Sequence, residues 1–392
     1  MAVDLNTVIK YANEYRFLRI LPATNIDSLL AAGILSKNLR EHGVEAPINL
    51  SPKIVIDVKD EPLLLLDLPK PSSSGDNVLS IKYTDESSIT ARLVHYIDKL
   101  FGITWYDKFL AIIAGIHREL DVGREGFQGY ERDFLDELAK ANYIGVDLGF
   151  RLWGWKKRSF HKALYRTLIP FIPGYSGDPH QAAENLKKIL GIKELDRLMG
   201  DNVFAEHDLE KTKLFLEKFS ETIEGVEQEV RRRILIKMLG YVYVVNLGNY
   251  VADVLEIFGA LEVYESMAEE NVNNIPLVSA DYTILNQLIA MYTQIIDELS
   301  VEAATLIKQY LHTRIPVFEG LDTIKRPELL IDIIRSMELI PDKKCITIEV
   351  DGRYVTSISE YIRVNPEYDR AYNLCDESQI CILDERNVLI KA

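Results

Sequence analysis

From 16 to 22 (RFLRILP) apolar and polar residues alternate as in a short strand, and 26–42 follows with helical spacing and stops at Gly43. Brief runs rich in Ile, Leu and Val at 54–58, 63–66 and 78–81, divided by polar or Pro-containing turns, predict buried strands of a parallel sheet. From Ser88 the pattern lengthens to a helical period, through 88–101, 106–120 and 132–141, and 178–190 adds another helix. Strands alternating with helices predict an α/β fold. The stretch 208–270 keeps a helical period with few breakers, and 282–311 continues it. Past Pro316, short runs at 345–350, 354–358 and 379–383, separated by Asp-Gly and polar turns, predict a small sheet. The expected organisation is an α/β domain over 1–206, a helical connector over 207–270 and a smaller α+β domain over 271–392, with a soft boundary near Glu206. In the first domain a mainly parallel sheet is flanked by helices.

Composition narrows the function classes. The 392 residues are 47% hydrophobic and 27% charged, ordinary for a globular chain of two or three domains. No uncharged apolar stretch reaches bilayer length, and the first residues read as a polar helix start rather than a basic region before an apolar one. A cytoplasmic protein without a membrane partner is expected. Cys345, Cys375 and Cys381 form no Cys-x-x-Cys pair and have no nearby histidine, so reduced structural thiols are expected. A formal charge of −15 argues against a general nucleic-acid coat, because phosphate binding depends on displayed cations, and it favours a protein partner.

Three segments carry acidic residues beside predicted strands or helices. ILPATNIDSLLAAGIL runs from a strand through a loop into a helix, LLLLDLP ends a strand on Asp67, and IIAGIHRELDVG carries Asp121. Together they resemble motifs of the DHH phosphoesterase superfamily, and within it the archaeal RecJ-like nucleases and the cell division control protein forty-five group. The first segment resembles the His-x-Asp-x-Asp-Gly motif, with Ala23, Asn25 and Asp27 at its ligand positions; Asp67 matches the second acidic motif and Asp121 the fourth. The Asp-His-His that names the superfamily should follow VLSI, where this chain has Lys82, Tyr83 and Thr84, and it occurs nowhere in the sequence. LYRTLIPFIPGYSGDPHQAAENLKKILGI resembles a Pro-rich turn and helix of the RecJ-like proteins. NLGNYVADVLEIFGALEVY resembles the helix opening their second, DHHA1-like domain, although Gly259 and Ala260 stand where Gly-Arg is expected. Their Gly-rich, histidine-containing C-terminal loop is missing.

The resemblance implies a catalytic centre of two divalent cations, usually manganese, which need a cage of carboxylates and imidazoles. With Ala23, Asn25, Tyr83 and Thr84 in ligand positions, most of that cage is gone. The expectation is a non-catalytic protein with no metal and no cofactor. It also implies partners, the GINS complex and the minichromosome maintenance helicase, which the residues themselves do not name. The alternative is a manganese-dependent single-strand exonuclease or small-nucleotide phosphodiesterase with a reduced site of Asp27, Asp67 and Asp121. Lys82 invites a sharper expectation: pointing inward, its ammonium would pair with Asp27 or Asp67 and replace the missing cation. The plainer reading is a surface lysine.

One strip is both basic and aromatic. Segment 151–166 (RLWGWKKRSFHKALYR) carries Arg151, Lys156, Lys157 and Arg158 among Trp153 and Trp155 and has no acid. Such a strip suits single-stranded DNA, a third reading compatible with scaffolding; the plainer one is a solvated turn anchored by its tryptophans. His117 and Asp121 stand four apart, a spacing that metal sites use, although such a lone pair is more often structural.

Overall fold

The computed structural model describes residues 5–58, 60–121, 125–199, 209–223, 225–248, 250–313, 323–341, 343–350, 352–365, 367–384 and 388–391. Strands β1 (Arg19–Pro22), β2 (Leu63–Leu66) and β3 (Val78–Ile81) form a parallel sheet in the order β1-β2-β3. The four leucines of β2 are all buried, and the pleat sends them to opposite faces. Leu64 and Leu66 join the main core beside helix α2 (Ile26–Glu41), whereas Leu63 and Leu65 join a second core with Ile358, Tyr361 and Tyr372 from the C-terminal segment. A strand covered on both faces has no solvent side, which is why its sequence is an unbroken apolar run. The C-terminal cover is tied on by the Gln379 amide, which donates to the carbonyls of Pro22 (2.7 Å) and Leu50 (3.0 Å).

Helices α4 (Ile89–Phe101) and α5 (Trp105–His117) pack against α2 and carry side-chain caps: Ser88 accepts from Ala91, and Thr104 and Asp107 form a capping box. A second sheet pairs β4 (Ile144–Phe150), β5 (Leu239–Asn246) and β6 (Val251–Asp253) antiparallel, and β7 (Ile348–Val350), β8 (Arg353–Ser357), β9 (Ile380–Leu383) and β10 (Leu389–Ile390) form a third.

Some expectations are corrected. Residues 54–58 form one helical turn, Ile54–Asp57, instead of a strand. The 207–270 segment is helical at Leu209–Glu221, Gln228–Met238 and Val254–Met267, but between them it carries β5 and β6, and β5 pairs with β4 from the first half. Alternating aromatic and β-branched residues in YVYVVN favour that pleated surface. Cys375 and Cys381 are joined in a disulfide across Cα atoms 4.3 Å apart, and Cys345 alone is free. The boundary near Glu206 lies outside the described residues. Among the described residues no helix is long and apolar enough to cross a membrane.

The Pro-rich segment serves packing. Gly177 has φ +67°, and a Cβ there would lie 2.0 Å from the Ser300 carbonyl oxygen of the long helix Tyr282–Thr313, so only glycine fits. Asp178 then caps the next helix, α8 (Pro179–Leu190), accepting from Gln181 at 3.0 Å.

Candidate functional site

Parallel strands deliver their C-terminal ends to one edge, and the loops leaving that edge converge. Here β1 gives Ala23, Thr24 and Asn25, β2 gives Asp67 and β3 gives Tyr83. Asn25 is the N-cap of α2, its Oδ1 accepting from Ser28 at 2.9 Å. Asp67 sits at φ +59°, an unusual conformation for a residue with a side chain, held where the strand must release its carboxylate toward the loops.

At the centre is Arg118, which follows α5. Its Nε donates to Asp27 Oδ2 at 2.8 Å, and its Nη2 donates to Asp67 Oδ2 at 2.5 Å and to Asn25 Oδ1 at 3.3 Å. The guanidinium lies over the Tyr83 ring, 4.5 Å from its centroid. Burial works against the charge, but Asp67 and Asp27 raise the Arg118 pKa above its ordinary value.

Asp27 is fully buried, and its acceptor directions are taken. Oδ1 accepts from the Thr90 N–H and hydroxyl, both at 2.9 Å; Oδ2 accepts from the Ile89 N–H at 3.0 Å and from Arg118. The carboxylate thus sits on the N-terminus of α4, which favours an anion. Asp67 Oδ1 accepts from the Tyr83 N–H at 3.2 Å, and its Oδ2 also receives the Asn25 amide at 3.4 Å. Ala23 is buried and offers no donor atom; Thr84 is exposed. These residues do not fit a paired manganese centre, because the carboxylates face a guanidinium and backbone donors.

Two sequence expectations are corrected. Lys82 is exposed and makes no ion pair among the described residues; only its carbonyl is engaged, by Arg92 at 2.9 Å. The cation between Asp27 and Asp67 is Arg118, whose flat fork reaches both carboxylates at once. Asp121 lies apart from them: α5 ends at His117, and Asp121 is buried in a two-pronged pair with Arg151, whose Nη2 donates to Oδ1 at 2.6 Å and whose Nη1 donates to Oδ2. His117 and Asp121 therefore share no helix face.

The basic aromatic strip is also redistributed. Trp153 and Trp155 are each 1% exposed, so neither ring is a platform for a base. Trp153 packs on Gly259, where a Cβ would lie 2.4 Å from the indole. Gly259→Ala overpacks that contact and is expected to cost about 1–3 kcal/mol, measured as a lower urea midpoint. Of the cations, Arg151 is buried on Asp121, Lys156 pairs with Asp147 at 3.0 Å and Arg158 with Glu256 at 2.7 Å, while Lys157 is exposed.

Beside Arg118 lies a second group of acids. Asn25, Asp67, Tyr83, His117, Arg118 and Asp332 help to line a cleft of about 530 Å³ between the strand ends and the C-terminal helices. Across it, the Thr24 hydroxyl donates to Glu328 at 3.0 Å. His117 Nδ1 is 2.7 Å from Glu262 Oε1; burial disfavours the imidazolium, but Glu262 raises the His117 pKa. Burial, with Glu262 adding to it, pushes Asp332 up to about 8. Sequence reasoning found His117 but paired it with Asp121, and it missed Arg118, Glu262 and Asp332. A charge count was the available signal, since stripped carboxylates need a cation and arginine is the one suited to spanning two.

No protein-family model matches the chain, and no curated protein matches it. Among solved structures it is similar to CDC45 from Entamoeba histolytica, with TM-score 0.57 and 11% identity, over 90% of this chain and 86% of that one. RecJ from Thermus thermophilus, solved in complex with Mn2+, matches at TM-score 0.33 and 12% identity over 90% of this chain and 46% of that one. The extent of the first match, which takes in nearly the whole chain, leads to one conclusion: this chain has a CDC45-like fold.

Proposed function

We propose that the protein is a non-catalytic replication factor, a scaffold that binds GINS and stabilises its association with the minichromosome maintenance helicase. One observation carries the non-catalytic part: Arg118 bridges Asp27 and Asp67, filling with a fixed organic cation the place where two-metal hydrolysis needs exchangeable ions. The CDC45-like fold and the net charge of −15 support a protein partner over a nucleic-acid coat. The identity of that partner rests on the family resemblance.

The nuclease alternative needs Asp27, Asp67 and Asp121 around one ion, and Asp121 is committed to Arg151 elsewhere. The DNA-stacking reading needs exposed tryptophans, and both of those in the strip are core residues.

The tests separate activity from assembly. With manganese and end-labelled single-stranded DNA, the wild-type chain and Asp27→Ala are expected to give the same background release. Manganese-dependent turnover that Asp27→Ala abolishes would overturn the reading. For assembly, tagged protein mixed with purified GINS subunits at physiological salt is expected to retain them, and a clean failure contradicts the partner assignment.

A further inference from the structure

We infer that the cleft beside Arg118 binds one divalent transition-metal ion, zinc by preference, through His117, Glu262 and Asp332. The inference is independent of the scaffold reading, because its ligands include neither Asp27 nor Asp67.

Each ligand comes from a different element. His117 ends α5, Glu262 lies on Val254–Met267 and Asp332 on Glu328–Ser336. One ligand atom from each falls within 4.8 Å of the others. Two ligands of a single ion stand at most about 4.4 Å apart, twice a metal–ligand distance of ~2.0–2.2 Å, so closing the site takes a shift of a few tenths of an ångström.

The donors are available. Glu262 is fully buried, and its Oε2 has no hydrogen-bond partner. One turn further along the helix, Glu265 is buried with neither carboxylate oxygen hydrogen-bonded, and it feels the charges of Glu262, Glu328 and Asp332. The neighbouring arginines pair with other carboxylates, Arg326 with Glu328 at 2.5 Å and Arg118 with Asp27 and Asp67, and reach the cluster only through their field, Arg326 at Glu265 and Arg118 at Asp332. Within the cluster itself His117 is the one basic side chain facing Glu262 and Asp332, and it is hydrogen-bonded to Glu262 alone, a balance that a doubly charged ion corrects.

The donor set chooses the ion. One imidazole suits zinc, and two carboxylates complete three protein ligands, leaving a position for water from the cleft that His117 and Asp332 line. An ion here ties α5 of the N-terminal layer to two helices from later in the chain. Its expected role is to hold that junction together.

Full-length protein stripped with a chelator and titrated with zinc chloride in a calorimeter should bind one equivalent, and its thermal midpoint should rise with added zinc. Cobalt chloride should give the visible bands of a low-coordinate nitrogen–oxygen site. Glu262→Gln and His117→Ala should each weaken zinc binding at least about tenfold. His180→Ala, which removes an exposed histidine on α8, should leave it unchanged. Should the cluster variants fail to fold, the wild-type chain still decides: zinc should protect His117 from diethyl pyrocarbonate, read by peptide mass spectrometry. No saturable binding, binding unaffected by Glu262→Gln in a folded variant, or a His117 equally modified with and without zinc overturns the inference.

Discussion

Replacing Arg118 by alanine is expected to lower the free energy of unfolding by about 3–5 kcal/mol, the range for removing one partner of a buried ion pair. Asp27 is fully buried and Asp67 only 19% exposed at its side chain, so neither recovers bulk hydration when the guanidinium leaves. The two carboxylates would then face each other beside Asn25, with backbone N–H groups as their remaining partners. Tyr83 would also lose the cation over its ring. Arg118→Lys should recover little of the loss, because an ammonium is a point charge and cannot present Nε and Nη2 to two carboxylates together. Urea unfolding of the three proteins measures this. A loss below about 1 kcal/mol, the range of an exposed surface pair, would place Arg118 outside the role assigned to it.

Arg151→Ala should cost a similar amount, about 3–5 kcal/mol, for the same physical reason at a different place. Its partner Asp121 is fully buried, and the Arg151 side chain is 7% exposed. The guanidinium also donates to the Tyr241 carbonyl at 3.4 Å and so joins the segment after α5 to β5. The informative companion is the double substitution Arg151→Met with Asp121→Leu, which removes both charges and should restore much of the lost stability. A metal ligand would behave otherwise: Arg151→Ala would leave stability nearly intact, and manganese would stabilise that variant. Equilibrium unfolding with and without manganese distinguishes the two outcomes.

What the sequence reveals here follows from how local each feature is. Leu63–Leu66 and Val78–Ile81 are legible because strands buried on both faces are apolar throughout. The same reasoning misreads 54–58, since a short apolar run has no period with which to tell a strand from a helical turn. It also misses β5, which follows the helix Gln228–Met238 without an intervening turn. At the site, Ala23, Asn25, Asp27, Asp67 and Tyr83 could be placed from the chain through the resemblance of their segments to the family's motifs. Arg118 could not, being 91 residues from Asp27 and brought there only by the packing of α5 on α2. Lys82 was the nearer cation in sequence, yet it lines the cleft as an exposed residue and makes no ion pair among the described residues. The strip at 151–158 misleads for a related reason. Its window contains no acid, but Asp121, Asp147 and Glu256 arrive from other elements to meet its cations.

A guanidinium holds the place between Asp27 and Asp67, and anomalous diffraction from crystals soaked in manganese is the decisive check. The predicted result is no anomalous peak within bonding distance of both carboxylates, with Arg118 still bridging them. Two peaks there about 3.5–4 Å apart, with Arg118 swung out of the site, would contradict it.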